Sequence, residues 1–382
     1  MASRPHRWAL QGGMLALSVA LALLLGEGIA RLVLEPVDYL IATPISDPVL
    51  GRRLEPGASG HDQWGFRNRE VPDRADVVTI GDSQTYGTGV PRLSSWPVQL
   101  SELTGRRVYN VALGGYSPIE YYQLLRRYAL PLKPSIIVVG FYFGNDLHEA
   151  YRRVYALPHY TALRRKDVPS LEGTSPPRSS KRFVRRIGAW FSSHSVLYRA
   201  ALSTILQEQV QRAELILTQD DSDLVRLHHG TSSTTFAPAH RLGALDLDSL
   251  SVQEGLRLSL LHFELMARLC DSAGVALFIA LIPTKERVYQ SLIDADPELQ
   301  KHPVLREVLA QEVEVDQRVR SFLQQRGISY IDLLPPLRDA VSHTRIYRLD
   351  EDGHPTAGGY SVIAREVARA IAREVASAIA QH

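Results

Sequence analysis

A single cysteine, Cys270, is the only thiol among 382 residues. One thiol excludes an intrachain disulfide and a cysteine-rich metal site. Cys270 lies in an apolar helical pattern, which predicts a plain core position. The adjacent pair His228-His229 in a polar stretch is only a weak indication of a metal site. These residues give no strong indication of a metal site, and the chemistry inferred below needs neither a metal nor an organic cofactor.

Strong charge of either sign is also missing. The 43 basic and 41 acidic residues leave a formal net charge of +2. This balance, with a pI of about 8.6, is too mild to indicate a nucleic-acid-binding protein. With 45% hydrophobic and 22% charged residues, the chain can bury a core and is predicted to be globular. Its length allows one large domain or two.

One long apolar run is present, from Trp8 to about Leu25, and basic residues precede it. As a helix it would span about 27 Å, close to the thickness of a bilayer's hydrocarbon core. The residues after it form a poor cleavage site, and no cysteine follows that could carry a lipid anchor. An uncleaved signal anchor over residues 1–34 is therefore favoured over a cleaved signal peptide. The basic residues place the N-terminus in the cytoplasm and the rest of the chain outside the inner membrane, in the periplasm.

Residues 35–70 contain four prolines and are predicted to form a connector. From residue 71 to residue 382, short apolar runs alternate with helical patterns, as in right-handed βαβ units. This alternation predicts an α/β domain around a parallel sheet. Its five strands are expected at 77–80, 107–111, 134–143, 275–282 and 328–333.

An insertion at about 151–250 interrupts this alternation. It contains a predicted amphipathic helix over 183–206 and a predicted loop over 218–250. The insertion could be a lid over a site, a surface that faces the membrane, or a solvated excursion, and the sequence leaves all three open.

Polar groups follow three of the predicted strands at their carboxyl ends, where open α/β sheets bind ligands. Ser83 follows the first strand, and Asn145 follows the third. The second strand leads into Gly114-Gly115, whose N–H groups could bind an anion or only form a turn. Ser83 is therefore either a nucleophile or a helix cap, and the Asn145 amide could donate to a developing oxyanion.

A last loop, before a strongly periodic C-terminal helix, contains Asp352-Gly353-His354. An aspartate two residues before a histidine can hold the imidazole from one side. The other ring nitrogen is then free to take a proton. The pair is expected on the same sheet as Ser83, Gly115 and Asn145, which favours a functional role over that of a lone surface histidine.

In this order, the four stretches resemble the sequence blocks of the SGNH hydrolases, the GDSL-type esterase superfamily. Gly81-Asp82-Ser83 matches the first block, residues 110–115 the second, Gly144-Asn145-Asp146 the third, and Asp352-Gly353-His354 the last. The resemblance implies a three-layer, flavodoxin-like α/β/α sandwich.

The resemblance also implies roles for these residues. Ser83 would be the nucleophile, His354 the base and Asp352 the acid. The N–H groups of Ser83 and Gly115, with the Asn145 side chain, would form the oxyanion hole. Many members place the acid three residues before the histidine, which is Glu351 here. Relatives that acetylate envelope polysaccharides use an Asp-x-His pair, which favours Asp352 and leaves Asp350 and Glu351 as alternatives.

The function implied by the resemblance is a membrane-anchored esterase of the bacterial envelope. It would remove acyl groups, acetyl foremost, from a glycan or lipid. One alternative is an O-acetyltransferase that modifies an envelope or exported polysaccharide with the same triad, and a second is a non-catalytic scaffold. The expected partners are an acylated carbohydrate or lipid substrate and the membrane, contacted by the N-terminal helix, but no nucleic acid.

Overall fold

The structure, a computed structural model, describes residues 4–170, 190–202 and 224–380. The chain forms two compact units. The helical unit comprises Met1–Thr43, Gly57–His61 and Pro176–Asp220. The sheet unit comprises Pro44–Pro56, Asp62–Ser175 and Asp221–His382.

The helical unit is built on a long N-terminal helix, α1 (Arg4–Val33), followed by the short α2 (Pro36–Tyr39). Within the described residues, the stretch Gln11–Val33 is the one helix that is long and apolar enough to cross a membrane. The carboxylate of Glu27 accepts hydrogen bonds from the Ser195 hydroxyl at 2.8 Å and from two backbone N–H groups, those of residues 196 and 197, at 3.0 Å. The end of α1 therefore holds the segment 190–202.

The helix predicted over 183–206 is interrupted within its described residues, 190–202. Residues 190–194 and 196–202 are helical and residue 195 separates them, whereas 183–189 and 203–206 lie outside the described residues. The break coincides with the hydrogen bonds to Glu27, which cap a new helix at this point.

The sheet unit contains nine strands among its described residues. They are β1 (Pro44–Asp47), β2 (Gly51–Leu54), β3 (Val77–Gly81), β4 (Val108–Asn110), β5 (Ile136–Tyr142), β6 (Val225–Leu227), β7 (Thr234–Phe236), β8 (Ala276–Ile282) and β9 (Ser329–Asp332). Five of these form one parallel sheet in the order β4-β3-β5-β8-β9. This is the flavodoxin-like order, so the predicted fold class is confirmed. The pairs β1–β2 and β6–β7 are separate antiparallel hairpins.

Helices cover both faces of the parallel sheet. In chain order they are α3 (Ser83–Tyr86), α4 (Trp96–Thr104), α5 (Pro118–Leu124), α6 (Asp146–Ala156), α7 (Pro238–Leu245), α8 (Leu250–Ala273), α9 (Lys285–Val288), α10 (Gln290–Ala295), α11 (Pro303–Gln325), α12 (Leu334–Val341) and α13 (Ala357–Ala380). Successive residues of β5 enter two different cores, Ile137 and Val139 on one face and Ile136 and Val138 on the other. Cys270 is buried in the first core, as predicted.

The prediction of a loop over 218–250 is wrong for the described residues of that range. They form the β6–β7 hairpin and α7. Val225, Leu227 and Phe236 are buried in the second core of the sheet unit. The strands have three residues each, so their alternation of apolar and polar residues is too short to stand out among polar neighbours.

The packing of α8 against α6 depends on the absence of a side chain at Gly255. A Cβ at this position would lie 2.0 Å from the backbone oxygen of Leu147 in α6. Backbone atoms cannot rotate away from such a contact, so the two helices would have to separate. Since α6 begins directly after Asn145, this contact lies close to that residue along the chain.

We expect Gly255→Ala to lower the free energy of unfolding by about 2–3 kcal/mol, because the added methyl group overpacks two helices. Urea unfolding of the purified protein measures the change. Gly243→Ala is the matched control, since Gly243 is also helical and a methyl group added there would meet no atom within 4 Å. The control should be neutral or more stable by about 1 kcal/mol. Equal stabilities of the two variants would contradict this account of the packing.

Candidate active site

Ser83 is placed at the carboxyl end of β3 by the tight passage from that strand into α3. Asp82 caps α3, and its carboxylate accepts hydrogen bonds from the Gln84 N–H at 2.8 Å and from the Ser83 hydroxyl at 3.2 Å. Ser83 is half-buried, whereas Asp82 is fully buried. No acceptor in the described part of the chain binds the backbone N–H of Ser83, which leaves this group available to a ligand.

His354 is held by Asp352, as the spacing predicts. The imidazole Nδ1 lies 2.6 Å from Asp352 Oδ1, and the same oxygen accepts the His354 backbone N–H at 3.0 Å. Burial acts to raise the pKa of Asp352, but the hydrogen bonds and charge of His354 outweigh it, so this pKa lies below its ordinary value. The other ring nitrogen, Nε2, is buried and has no hydrogen-bond partner among the described residues. It is the nitrogen that a general base would use.

The three candidate acids occupy different environments. Asp352 contacts the imidazole, whereas the carboxylate of Asp350 pairs with Arg348 at 2.8 Å. Glu351 is exposed to solvent. Of the three, Asp352 is therefore the one positioned to orient His354.

A β-turn over residues 113–116 lies beside Ser83. The turn is closed by a hydrogen bond from the Tyr116 N–H to the Leu113 oxygen at 3.2 Å, and Gly115 has a φ of +74°. A Cβ at Gly114 would lie 3.4 Å from Ser83 Cβ, so the turn is packed against Ser83. Neither Gly114 nor Gly115 uses its N–H on an acceptor within the described ranges. Two adjacent N–H groups are thus available here.

Asn145 follows β5 and caps the N-terminus of α6. Its amide lies near the buried carboxyl of Asp82, which accepts the Ser83 hydroxyl. Burial raises the pKa of Asp82, and the bond from Gln84, the charge of His354 and the nearby Asn145 amide offset part of this effect. Asp82 therefore lies beside both Ser83 and the Asn145 amide, a position to which sequence reasoning assigned no role.

Two cations, the buried Lys285 and the largely buried Arg241, support the loop that carries His354. Lys285 donates from Nζ to the carbonyl oxygens of Asp350 at 2.7 Å and Asp352 at 3.1 Å. Burial lowers the pKa of Lys285 to about 8. Arg241 on α7 donates to the Gly144 oxygen at 2.8 Å, and a Cβ at Gly353 would lie 2.9 Å from its Nη2. Arg241 therefore packs against the loops of both Asn145 and His354.

Sequence reasoning missed both cations. Lys285 lies in a short segment after β8, and no sequence pattern marks it or Arg241, which lies within the insertion. Gln84 was also missed. It donates from Nε2 to the Gly353 oxygen at 3.2 Å and so connects α3 to the loop that carries His354, called the histidine loop below.

The structure brings the predicted residues to one edge of the sheet. These are Ser83, Gly115, Asn145, Asp352 and His354. The Ser83 hydroxyl donates to Asp82 rather than to His354 in this arrangement. Bonds between a nucleophile and its base are often formed only when substrate is bound. The set contains a hydroxyl, a buried imidazole nitrogen and N–H donors, which are the groups that acyl transfer requires.

One family model matches part of the chain. Residues 251–382 match the family described as "SGNH hydrolase-like domain, acetyltransferase AlgX". The match covers about a third of the chain and supports the predicted superfamily, whose members act on ester bonds. The matched residues include Asp352 and His354 but not Ser83, Gly115 or Asn145, whose assignment rests on the geometry above. No curated protein matches the chain in sequence.

Several solved structures are similar over most of their length. One is a lipolytic protein of the G-D-S-L family from Desulfitobacterium hafniense, with 14% identity, a TM-score of 0.38, and coverage of 77% of this chain and 97% of that chain. Another is a GDSL-like lipase from Bacteroides thetaiotaomicron, with 10% identity, a TM-score of 0.37, and coverage of 78% and 88%. An acetylxylan esterase from Geobacillus stearothermophilus has 10% identity, a TM-score of 0.36, and coverage of 78% and 94%. At these scores the likeness adds nothing to the fold assignment, which rests on the sheet itself.

The segment that carries Lys285 is fixed by a buried acid on α11. The carboxylate of Glu312 accepts the Thr284 N–H at 2.9 Å and also binds the Thr284 hydroxyl. Thr284 in turn caps α9, which begins with Lys285. Burial raises the pKa of Glu312 from 4.5 to about 7. Between pH 4.5 and pH 7, the folded protein therefore retains a proton on Glu312 that the unfolded chain has already lost.

This retained proton makes the stability of the wild-type protein fall as the pH rises from 4.5 to 7. We expect Glu312→Gln to remove this loss and to be more stable than wild type at pH 8 by up to about 3 kcal/mol. Urea unfolding at pH 5 and pH 8 measures the difference, with the exposed Glu314→Gln on the same helix as the control. A stability difference from wild type that is the same at both pH values would show that Glu312 does not titrate in this way.

Proposed function

We propose that this chain is a serine esterase of the SGNH type that removes acyl groups, acetyl foremost, from a glycan or lipid of the bacterial cell envelope. The observation that carries the proposal is the bond of 2.6 Å between Asp352 and His354 on the sheet edge that holds Ser83. It leaves a buried, unbonded Nε2 in the same group of loops as a serine hydroxyl.

In the proposed mechanism, Ser83 attacks the carbonyl carbon of an ester and His354 takes the hydroxyl proton. Asp352 keeps the imidazole in the required tautomer and stabilises the imidazolium. The N–H groups of Ser83 and Gly115 and the Asn145 amide bind the oxyanion. Collapse of the tetrahedral intermediate expels the alcohol, which takes the proton from His354. Water then hydrolyses the acyl-Ser83 ester with His354 as base.

A second candidate is an O-acetyltransferase that passes the acyl group from Ser83 to a polysaccharide hydroxyl. The match of residues 251–382 to an acetyltransferase family favours this candidate. The first half-reaction is the same in both cases, and only the acceptor differs.

Attachment to the bacterial inner membrane is part of the proposal. Large apolar side chains of α1 between residues 14 and 33 are exposed, among them Leu24 at 70% and Leu32 at 88%. Trp190, Phe191 and Tyr198 are also exposed, and they belong to the segment that Glu27 holds at the end of α1. Aromatic side chains are enriched at membrane–water interfaces, so this placement is consistent with a spanning α1. The basic N-terminus would then be cytoplasmic and the sheet unit periplasmic.

The proposal is tested by turnover of p-nitrophenyl acetate by the full chain, beside Ser83→Ala, with and without a glycan acceptor. An esterase releases acetate without acceptor, whereas a transferase yields acetylated glycan. Either activity should disappear in Ser83→Ala. Activity that survives in Ser83→Ala would refute the proposal, and a folded wild-type protein with neither activity would point to a non-catalytic scaffold.

We expect Asp352→Asn to lower kcat about 10³–10⁴-fold, because asparagine cannot hold His354 in the productive tautomer. Asp350→Asn and Glu351→Gln are matched controls from the same loop, and both should keep kcat within about threefold, because neither carboxylate contacts the imidazole. Steady-state kinetics on the same ester measure all three. A larger loss in either control than in Asp352→Asn would assign the acid elsewhere.

A further inference from the structure

The turn beside Ser83 is held by two arginine side chains. Arg52 on β2 donates from Nη2 to the Gly114 carbonyl oxygen at 2.5 Å. Arg153 on α6 donates from Nη2 to the Gly115 oxygen at 3.3 Å. Two consecutive carbonyl oxygens of the turn are therefore bound by cations from two different elements.

The two arginines differ in their other partners. Arg153 forms an ion pair with the buried Glu120. Arg52 is exposed and has no carboxylate partner within the described ranges. Its own carbonyl oxygen accepts the Tyr116 hydroxyl at 2.8 Å, so β2 and the turn are joined in both directions. The guanidinium charge of Arg52 is thus directed at the Gly114 oxygen without competition from an acid.

The hydrogen bond from Arg52 to the Gly114 oxygen bears on the conformation of the turn. A φ of +74° at Gly115, with the closing bond from Tyr116 to Leu113, is typical of a type II turn. Types I and II differ by a rotation of about 180° of the central peptide, here Gly114–Gly115. Neither glycine has a side chain that resists the rotation. A flip would turn the Gly115 N–H to the opposite face of the turn and would break the bond from Arg52.

We propose that Arg52 is a positioning residue for the oxyanion hole: it keeps the Gly114–Gly115 peptide in one orientation and polarises its N–H. A charge-assisted bond to the carbonyl oxygen resists the flip. The same bond strengthens the N–H of that amide as a donor, since linked hydrogen bonds polarise one another. This inference rests on the proposed function, because the oxyanion forms only if Ser83 attacks an ester.

Three variants test the proposal in the full chain. Arg52→Met keeps the apolar stem and removes the donors, and Arg52→Lys restores one charged donor. Arg53→Met is the control, since Arg53 is the next residue of β2 and pairs with Asp47 at 3.8 Å. We expect Arg52→Met to lower kcat about 10–100-fold with KM within about twofold, because the oxyanion exists only beyond the ground state. Arg52→Lys should recover part of this loss, and Arg53→Met should stay within about twofold of wild type.

A second readout needs no turnover. The rate at which a fluorophosphonate labels Ser83 also depends on the oxyanion hole, so it should fall in parallel with kcat. An Arg52→Met protein with normal kcat and normal labelling, beside an inactive Ser83→Ala, would overturn the inference and leave the proposed function intact. A raised KM at unchanged kcat would overturn it in favour of a substrate contact. A wild-type protein with neither turnover nor labelling would remove the proposed function, and the inference with it.

Discussion

The candidate site depends on one buried carboxyl group, that of Asp82. It caps α3, accepts the Ser83 hydroxyl and lies near the Asn145 amide. Burying a polar group costs free energy unless the group is hydrogen-bonded. The hydrogen bonds that Asp82 accepts therefore restrain its partners as well. The strands that deliver Ser83 and Asn145, β3 and β5, are neighbours in the sheet. One acid at the end of β3 therefore lies between the side chains of Ser83 and Asn145.

A second set of contacts holds the histidine loop in place. The side chains that make these contacts lie on helices and not on the strands of the sheet. Lys285 binds two carbonyl oxygens of this loop, and Gln84 and Arg241 contact it at Gly353. The loop follows β9 by about twenty residues and has no regular structure of its own before α13. Buried cations with carbonyl partners can hold such a loop in one conformation, because breaking the contacts would leave a charge without compensation.

The sheet, and the residues at its edge, could be predicted because both follow from local pattern. A buried parallel strand is a short apolar run, and the residues that follow it must meet at the carboxyl edge of the sheet. The pairing of Asp352 with His354 is also local, since the two are neighbours but for one glycine. The sequence could therefore predict Ser83, Asn145 and His354 as site residues. It could not predict the hydrogen bonds that Asp82 accepts.

The supporting residues were not predictable, for a physical reason. Arg52 lies in a hairpin within the predicted connector, and Arg241 lies in the insertion, in a helix that was predicted as a loop. Each contacts a site loop that is about sixty to one hundred residues away along the chain. Such contacts depend on how whole elements pack, and an exposed or isolated arginine carries no sequence signal of its partner.

The central claim is that an acyl group passes through Ser83. The most direct test is to mix the protein with an acetyl ester, quench the reaction rapidly in acid, and map acetylation by peptide mass spectrometry. The account predicts one acetyl group on the peptide that contains Ser83, absent from Ser83→Ala. Turnover without acetylation of Ser83, or with acetylation at another residue, would contradict it.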